Sequence, residues 1–217
     1  MISGYRRWTW IVWALVVLGA ACIAFYLMRR PMLRAAGRLL VVNEPVDSAD
    51  VIVLPVDADG GGVLEAADLV HSGLSARVAI FVELPDTIVD REFMRRGVKH
   101  ENAAERSTQE LNALGVTAVE QIPTHVSGTE DEGPALAEWC ERHRFRSVVV
   151  VSSPDHSRRL RRVLHRATKD HPTKITVHST RYSLFDPDRW WETHDGIRIE
   201  IEESEKLVLD FLRHPLS

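Results

Sequence analysis

Residues 148–159, VVVVSSPDHSRR, carry the strongest structural signal in this chain. Four valines in a row indicate a strand that is apolar on both faces, as the strands of parallel sheets are. Ser152, Ser153 and Pro154 then turn the chain, and a helix follows from Asp155. The stretch therefore predicts a buried parallel strand whose carboxyl end leads directly into a helix with His156 in its first turn.

The same alternation of strand and helix continues on both sides of this stretch. Strands are predicted at residues 50–56, 77–82, 119–122, 147–151 and 174–178, and helices at 63–72, 90–96, 102–114, 129–143, 155–168 and 198–212. Such alternation predicts a Rossmann-like three-layer α/β fold, with a mainly parallel sheet and helices on both faces. The site of such a fold lies beyond the carboxyl ends of the strands, which directs attention to loops 57–62, 83–86, 123–132 and 152–159.

An apolar segment without charge, Trp8 to Met28, precedes this pattern. At ~1.5 Å per residue it spans roughly 30 Å as a helix, which is the thickness of the hydrocarbon core of a bilayer. We therefore predict a single-pass membrane anchor in residues 1–30, a linker in 31–37 and one α/β domain in 38–217. A cleaved signal peptide and a buried core helix are the alternatives, but the apolar run continues past the small residues that resemble a cleavage site.

The orientation of the anchor stays open. Arg6 and Arg7 precede the apolar segment, whereas more arginines follow it, at positions 29, 30, 34 and 38. Because positive charge favours the cytoplasmic side, this count alone places the domain in the cytoplasm.

Charge and cysteine content exclude several classes of function. The formal net charge is -4, and residues 1–30 hold four arginines and no acidic residue, so the rest of the chain is more acidic still. A net acidic domain is a poor match for nucleic-acid binding. With Cys22 in the apolar segment and Cys140 in the domain, no disulfide can form within the domain. The chain also lacks paired Cys/His zinc spacing and a G-x-S-x-G nucleophile turn.

The helix start after the valine strand combines groups that suit an anionic ligand. Helix N-termini offer free N–H donors and a partial positive charge. Ser152 and Ser153 add hydroxyl groups, and Arg158 or Arg159 adds a planar fork of donors that fits phosphate or carboxylate. The His156 imidazole adds a base. The alternative interpretation is a helix cap with solvated arginines.

Two further patterns follow other predicted strands. Thr129 and Glu132 have the spacing of a capping box, which would explain both residues; a functional role requires that Glu132 face the His156 loop. Asp57 and Asp59 lie in the sequence DADGGG, where carboxylates could hold a divalent cation. A flexible turn is the alternative there, because the segment lacks the spacing of a dinucleotide fingerprint or of a calcium loop.

Together these residues resemble the YdcF/SanA/ElyC-like family, a domain of unknown function in bacterial envelope proteins. Residues 150–156, VVSSPDH, with Arg159 three positions later, are similar to the strand–T-S-x-x-H-x-x-R element of that family. Thr129 and Glu132 are similar to its threonine–glutamate pair. The stretch from Trp190 to Leu207, with Trp191, Glu203 and Lys206, resembles its closing helix.

The resemblance covers roughly residues 38–212. It implies a Rossmann-like domain that faces away from the cytoplasm and acts in envelope barrier function or in peptidoglycan and lipid-carrier metabolism, but it implies no particular reaction. Two turns depart from the family. Its Leu-Gly-Gly-Gly turn is Leu54-Pro55-Val56 here, and its Ser-Gly-Gly turn is Glu83-Leu84-Pro85. Two glycine-rich anion cradles are thus weakened or absent.

We therefore predict a protein anchored in the cell membrane by residues 8–28, acting in cell-envelope biogenesis or barrier function, that binds or processes an anionic, phosphorylated small molecule or a lipid-linked phosphate. The predicted catalytic residues are His156 and Glu132, and the predicted ligand-binding residues are Thr129, Ser152, Ser153, Arg158, Arg159, Asp57 and Asp59. No cofactor is predicted other than a divalent cation, and no metal ligands are assigned. The alternative is a non-catalytic envelope scaffold that binds a protein partner or anionic lipid through the five arginines between Arg158 and Arg166.

Overall fold

The valine-rich strand lies inside a five-stranded sheet in which every neighbouring pair is parallel. The computed structural model describes residues 3–84, 88–98 and 101–215. The strands are β1 Val51–Leu54, β2 Val78–Glu83, β3 Val119–Val126, β4 Ser147–Ser152 and β5 Lys174–Ser179. They lie in the order β3-β2-β1-β4-β5, so the predicted α/β fold with a parallel sheet is confirmed.

Helices cover both faces of this sheet. They are α1 Ser3–Leu40, α2 Asp59–His71, α3 Ile88–Arg95, α4 Ala103–Ala113, α5 Thr129–His143, α6 Pro154–Thr168 and α7 His194–Arg213, with a short 3-10 helix at Trp190–Glu192. Helices α2 and α4 bury their apolar side chains against one face, and α5 and α6 bury theirs against the other. Helix α7 packs on α6 as an outer layer.

Helix α1 runs without a break from the apolar segment into the domain. It is 38 residues long, with Pro31 inside it, and it is long and apolar enough to cross a membrane. The side chains of its apolar part are exposed, as those of a lipid-facing helix would be. Residues 31–37, which the sequence assigned to a linker, belong to this helix.

The last two turns of α1 are packed on the domain. Trp190 donates its indole N–H to the carbonyl oxygen of Leu33 at 2.8 Å. A Cβ on Gly37 would lie 2.4 Å from the carbonyl oxygen of Pro187, so only glycine fits there. Leu40 is buried in a small cluster with Phe185 and Leu207. The helix therefore enters the domain as a packed element and not as a flexible tether.

Residues 42–44 lie along the outer edge of β5. The backbone N–H of Glu44 donates to the carbonyl oxygen of Val177 at 3.0 Å, and the Glu44 side chain accepts from the Val177 N–H at 2.9 Å. The Asn43 side chain accepts from the N–H of Ser179 at 3.1 Å. These contacts satisfy edge groups of β5 that would otherwise face solvent.

The opposite edge strand, β3, is longer than the sequence predicted. Ile122 pairs with Phe81, but the next pair joins His125 to Val82, so two residues bulge out of the ladder. Pro123 lies in this bulge and has no N–H to donate. The proline therefore interrupts β3 without ending it.

Two helix starts differ from the sequence-based expectation. Asp59 to Gly62 form the first turn of α2, where the glycines predicted a flexible turn. The turn is held by the hydroxyl of Thr180, which donates to the carbonyl oxygen of Gly61 at 2.8 Å. The capping box at α5 is also wrong, because Gly128 is the N-cap residue and no side chain caps the helix. The side chains of Thr129 and Glu132 point elsewhere.

Candidate functional site

The candidate site lies between β1 and β4, where the strand order reverses. The helix after β1 packs on one face of the sheet and the helix after β4 packs on the other. A crevice opens at such a switch point, outside the carboxyl ends of the strands. Asp57, which follows β1, and His156, which follows β4, meet there, with Asp57 Oδ2 at 3.1 Å from His156 Nε2.

The His156 imidazole is almost completely buried, with 2% of its surface exposed, and both ring nitrogens have polar neighbours. At Nε2, the carboxylate of Asp57 lies at 3.1 Å and the hydroxyl of Thr129 at 3.4 Å. At Nδ1, Glu203 Oε2 lies at 3.3 Å and a guanidinium nitrogen of Arg159 at 2.9 Å. Each nitrogen thus has an acceptor if it carries a proton and a donor if it does not. The surroundings can accommodate either tautomer and the imidazolium form.

Glu203 of α7 fixes the far side of this ring. Its Oε2 accepts from Arg159 Nε at 3.2 Å, and its Oε1 accepts from Lys206 at 2.6 Å. Burial by itself would raise the pKa of Glu203, but the hydrogen bonds from His156 and Lys206 and the nearby positive charges outweigh it and lower the pKa to about 2. Glu203 is therefore ionised at neutral pH and orients the imidazole through Nδ1.

Glu132 of α5 has the opposite electrostatic character. Its Oε1 accepts from the backbone N–H of Val56 at 2.8 Å, but its Oε2 is buried without a hydrogen-bond partner among the described residues. Burial, reinforced by the charge of Asp57, raises the pKa of Glu132 to about 7. A carboxyl group with this pKa exchanges its proton near neutral pH, which suits a general acid or base.

A cleft of about 260 Å³ opens beside Asp57 at the carboxyl ends of β1 and β2. The start of α2 and the start of α4 form two of its walls, and Arg106 and Ser107 of α4 line it. Helix N-termini carry partial positive charge, so the two helix ends and the Arg106 guanidinium are the groups that could bind an anion here, beside the Glu110 carboxylate that also lines the cleft. Asp57 and Asp59 also line the cleft, and Asp59 accepts from the N–H of Gly61 at 2.9 Å.

The structure brings together five of the predicted site residues. Thr129, Asp57 and Arg159 contact the His156 imidazole, and Glu132 lies close enough to interact electrostatically with Asp57, His156 and Arg159. Asp59 lies in the adjoining cleft.

The other three predicted residues have local roles. The Ser152 hydroxyl is fully buried and donates to the carbonyl oxygen of Ser153 at 3.1 Å. Ser153 is the N-cap residue of α6 and is half-buried. Arg158 donates to the carbonyl oxygens of Leu39 and Val41, so it binds the end of α1 and not the cleft.

The remaining arginines of α6 are also engaged within the chain. Arg161 pairs with Glu44, Arg162 pairs with Asp210, and Arg166 pairs with Glu130 and Asp210. The Arg162 guanidinium also lies 3.6 Å from the centre of the Phe211 ring. This helix surface holds the end of α1, residues 42–44 and α7 in place.

Sequence reasoning assigned no role to Glu203, Arg106 or Ser107. Glu203 is far from His156 in sequence, and only the packing of α7 on α6 brings the two together. The resemblance to the family's closing helix included Glu203 and Lys206, but it implied no role for either residue. Arg106 and Ser107 lie at the start of α4. The sequence does not show that this start lies near the end of β1, because that depends on the order of the strands in the sheet.

A metal centre finds limited support in the part of the chain that the structure describes. Within it, no three His, Cys, Asp or Glu side chains are grouped so as to hold a metal ion.

Pro85, in the second departure from the family's glycine turns, lies outside the described residues. No protein-family model matches this chain, and no curated protein matches it. The resemblance to the YdcF/SanA/ElyC-like family therefore stays a prediction.

Proposed function

We propose that this protein is a membrane-anchored, YdcF-like envelope protein that uses His156 as a general acid and base on an anionic, phosphorylated ligand. The observation that carries this proposal is the set of partners around the buried imidazole. Each ring nitrogen faces both a hydrogen-bond donor and an acceptor, so a nitrogen that carries a proton has an acceptor and a nitrogen that does not has a donor.

The residues around the His156 ring have different roles in this proposal. Glu203 holds Nδ1, which leaves Nε2 directed towards Asp57 and the cleft. Glu132 supplies a second proton-exchanging group, since its pKa is raised to about 7. Such a pair of groups matches phosphoryl or glycosyl-phosphate transfer, in which one group takes a proton from the attacking atom and another gives one to the leaving atom.

The anionic group of the ligand would lie in the cleft beside Asp57. Arg106, Ser107 and the starts of α2 and α4 supply positive charge and donors there. Arg159, which we expected to clamp the anion, is instead held by Glu203 and positions the imidazole. If the reaction uses a divalent cation, Asp57 and Asp59 are the carboxylates that would hold it next to the phosphate.

The scaffold alternative has less support from the same contacts. A protein partner or anionic lipid that bound the arginines of α6 would have to displace Glu44, Asp210 or Glu203 from them. Arg158 is likewise bonded to the end of α1.

Thermal unfolding of the full chain in detergent micelles tests the proposal. Inorganic phosphate, nucleotides, sugar nucleotides, isoprenyl phosphates and divalent cations are added one at a time. A ligand of the native state raises the melting temperature by mass action. We expect a shift in the native chain and in His165→Ala, whose histidine is exposed further along α6, but not in His156→Ala or His156→Asn. No shift with any compound, or equal shifts in every variant, would contradict the proposal.

A further inference from the structure

The end of α1 meets the domain beside the candidate site. The hydroxyl of Ser157, the residue after His156, lies 3.4 Å from the carbonyl oxygen of Leu40 and 2.7 Å from the N–H of Val42. Arg158 binds the carbonyl oxygens on either side of Leu40. The anchor thus joins the domain at the first turn of α6, which lies at the carboxyl edge of the sheet.

The direction in which α1 leaves the domain follows from its contacts with α7. Helix α7 runs alongside α6 from the carboxyl edge downwards, since Glu203 pairs with Arg159 early in α6 and Asp210 pairs with Arg166 near its end. Leu40 packs in the cluster that contains Leu207, in the middle of α7. Leu33, two turns earlier in α1, is bonded to Trp190, which precedes α7. Traced towards its N-terminus, α1 therefore passes upwards and out beyond the carboxyl edge.

This geometry brings the carboxyl edge close to the bilayer. The charge-free run of α1 ends at Met28, five residues before Leu33, where the contacts with the domain begin. Five helical residues span only about 7.5 Å, which is about the thickness of one headgroup layer. The edge of the sheet that carries His156 is the edge that faces the membrane.

Exposed apolar side chains follow the carboxyl ends of several strands at this edge. Leu84, directly after β2, is 45% exposed, and Ile88 and Met94 of α3 are 79% and 52% exposed. Leu184, after β5, is 84% exposed. Helix α3 also carries Arg91, Glu92 and Arg95 among its apolar residues, a mixture typical of helices that lie in the interface of a bilayer. Water is a poor environment for this set of side chains, and the nearby membrane offers a better one.

We propose that the carboxyl edge of the domain rests on the bilayer surface, with α3 and Leu184 seated in the headgroup region. Strand β2 is two positions from β4 in the sheet, so α3 emerges only about 10 Å to the side of the site. The cleft at Asp57 then opens into the space between the domain and the lipid headgroups. A ligand reaches it along the membrane surface, as an amphiphile with an anionic head group would. The inference rests on α1 spanning a bilayer and not on the chemistry of His156.

Fluorescence quenching by lipid-borne nitroxide tests this contact in the full chain. Met94→Cys at the carboxyl edge and Leu114→Cys at the opposite edge, each in a Cys22→Ala background, place one reactive thiol on either side of the domain. Leu114 is also exposed, at 37%, and Cys140 is buried and does not compete for the label. The native chain labelled at Cys22, within the apolar segment, reports on the anchor itself. The proteins are reconstituted in vesicles of phosphatidylcholine and phosphatidylglycerol that contain nitroxide-labelled lipid.

We expect quenching of the label at position 94 to approach that at position 22 and to exceed that at position 114 several-fold. Equal quenching at 94 and 114, with strong quenching at 22, would overturn the membrane contact and leave the anchor intact. Weak quenching at 22 would instead overturn the anchor. Protection of position 94 from a water-soluble quencher that increases with protein concentration in detergent would point to a second copy of the chain on this surface, which also overturns the proposal.

Discussion

At the scale of single residues, the molecule separates two buried carboxyl groups by their surroundings. Glu203 is surrounded by donors and positive charge, and its pKa is lowered to about 2. Glu132 is buried with one oxygen unpartnered, and its pKa is raised to about 7. Because their surroundings differ, Glu203 stays charged at neutral pH while Glu132 can exchange a proton.

The raised pKa of Glu132 predicts a distinct pH dependence of stability. The unfolded chain loses this proton near 4.5, whereas the folded chain keeps it until about 7. The folded state therefore binds more protons in this window, and the free energy of unfolding falls as the pH rises through it. The full effect is at most about 3 kcal/mol, at roughly 1.4 kcal/mol for each unit of pKa.

Glu132→Gln should remove this slope, because a neutral amide keeps the acceptor for the Val56 N–H and cannot ionise. Urea unfolding of the full chain in micelles, at several pH values between 4.5 and 7, measures it. Glu138→Gln on the exposed side of the same helix is the matched control and should behave as the native chain does. A slope that is the same in all three proteins would show that Glu132 ionises normally.

At the scale of secondary-structure elements, tertiary contacts and not local sequence preference determine where α2 and α5 begin. The strands were predictable since continuous apolar runs such as residues 148–151 are buried on both faces. The start of α2 was not, because glycines locally favour a turn, and only the contact with residues 180–182 holds them in a helix. In the same way, Thr129 and Glu132 match a local capping pattern, but His156 and Val56 bind them instead.

The contact at the start of α2 can be tested with adjacent glycines. A Cβ on Gly61 would lie 2.1 Å from the carbonyl oxygen of Tyr182, whereas a Cβ on Gly60 meets nothing within 4 Å. Gly61→Ala should lower the free energy of unfolding by about 1–3 kcal/mol through overpacking. Gly60→Ala should be neutral or stabilising by up to roughly 1 kcal/mol, because alanine favours a helix. Denaturant unfolding measures the free energy of unfolding of both variants. Equal values would mean that residues 180–182 move to accommodate the added methyl group without loss of stability.

The candidate site was predictable in part for the same reason. His156, Arg159, Thr129, Glu132 and Asp57 all follow strands or begin helices, and parallel topology places such residues at one edge. Glu203 lies in the third turn of a helix, where its sequence position carries no such information.

At the scale of the whole molecule, the end of helix α1 and the domain form one packed unit. Leu33 to Leu40 belong both to the helix that is long enough to cross a membrane and to the interface with residues 185–207. A linker of independent residues would let the domain rotate freely, but this arrangement fixes the edge of the domain from which α1 leaves. The sequence showed the apolar run but not its continuation, because residues 31–37 begin with a proline and carry no long apolar stretch.

Two glycines of α1 test this unit. A Cβ on Gly37 would lie 2.6 Å from a ring carbon of Trp190, whereas a Cβ on Gly19 meets nothing within 4 Å. Gly37→Ala should displace the segment at 187–190 and speed amide hydrogen exchange at residues 33–40. Gly19→Ala should leave exchange at these residues unchanged. Unaltered exchange in Gly37→Ala would show that the end of α1 is not held by this contact.

The two edge strands of the sheet affect whether one copy of the chain can pair with another. Anchored proteins diffuse in two dimensions and meet often, so an open strand would invite polymerisation from one molecule to the next. Residues 42–44 occupy the outer side of β5, and the bulge that contains Pro123 interrupts β3. Both edges of the sheet are therefore poor templates for a strand from a second copy of the chain.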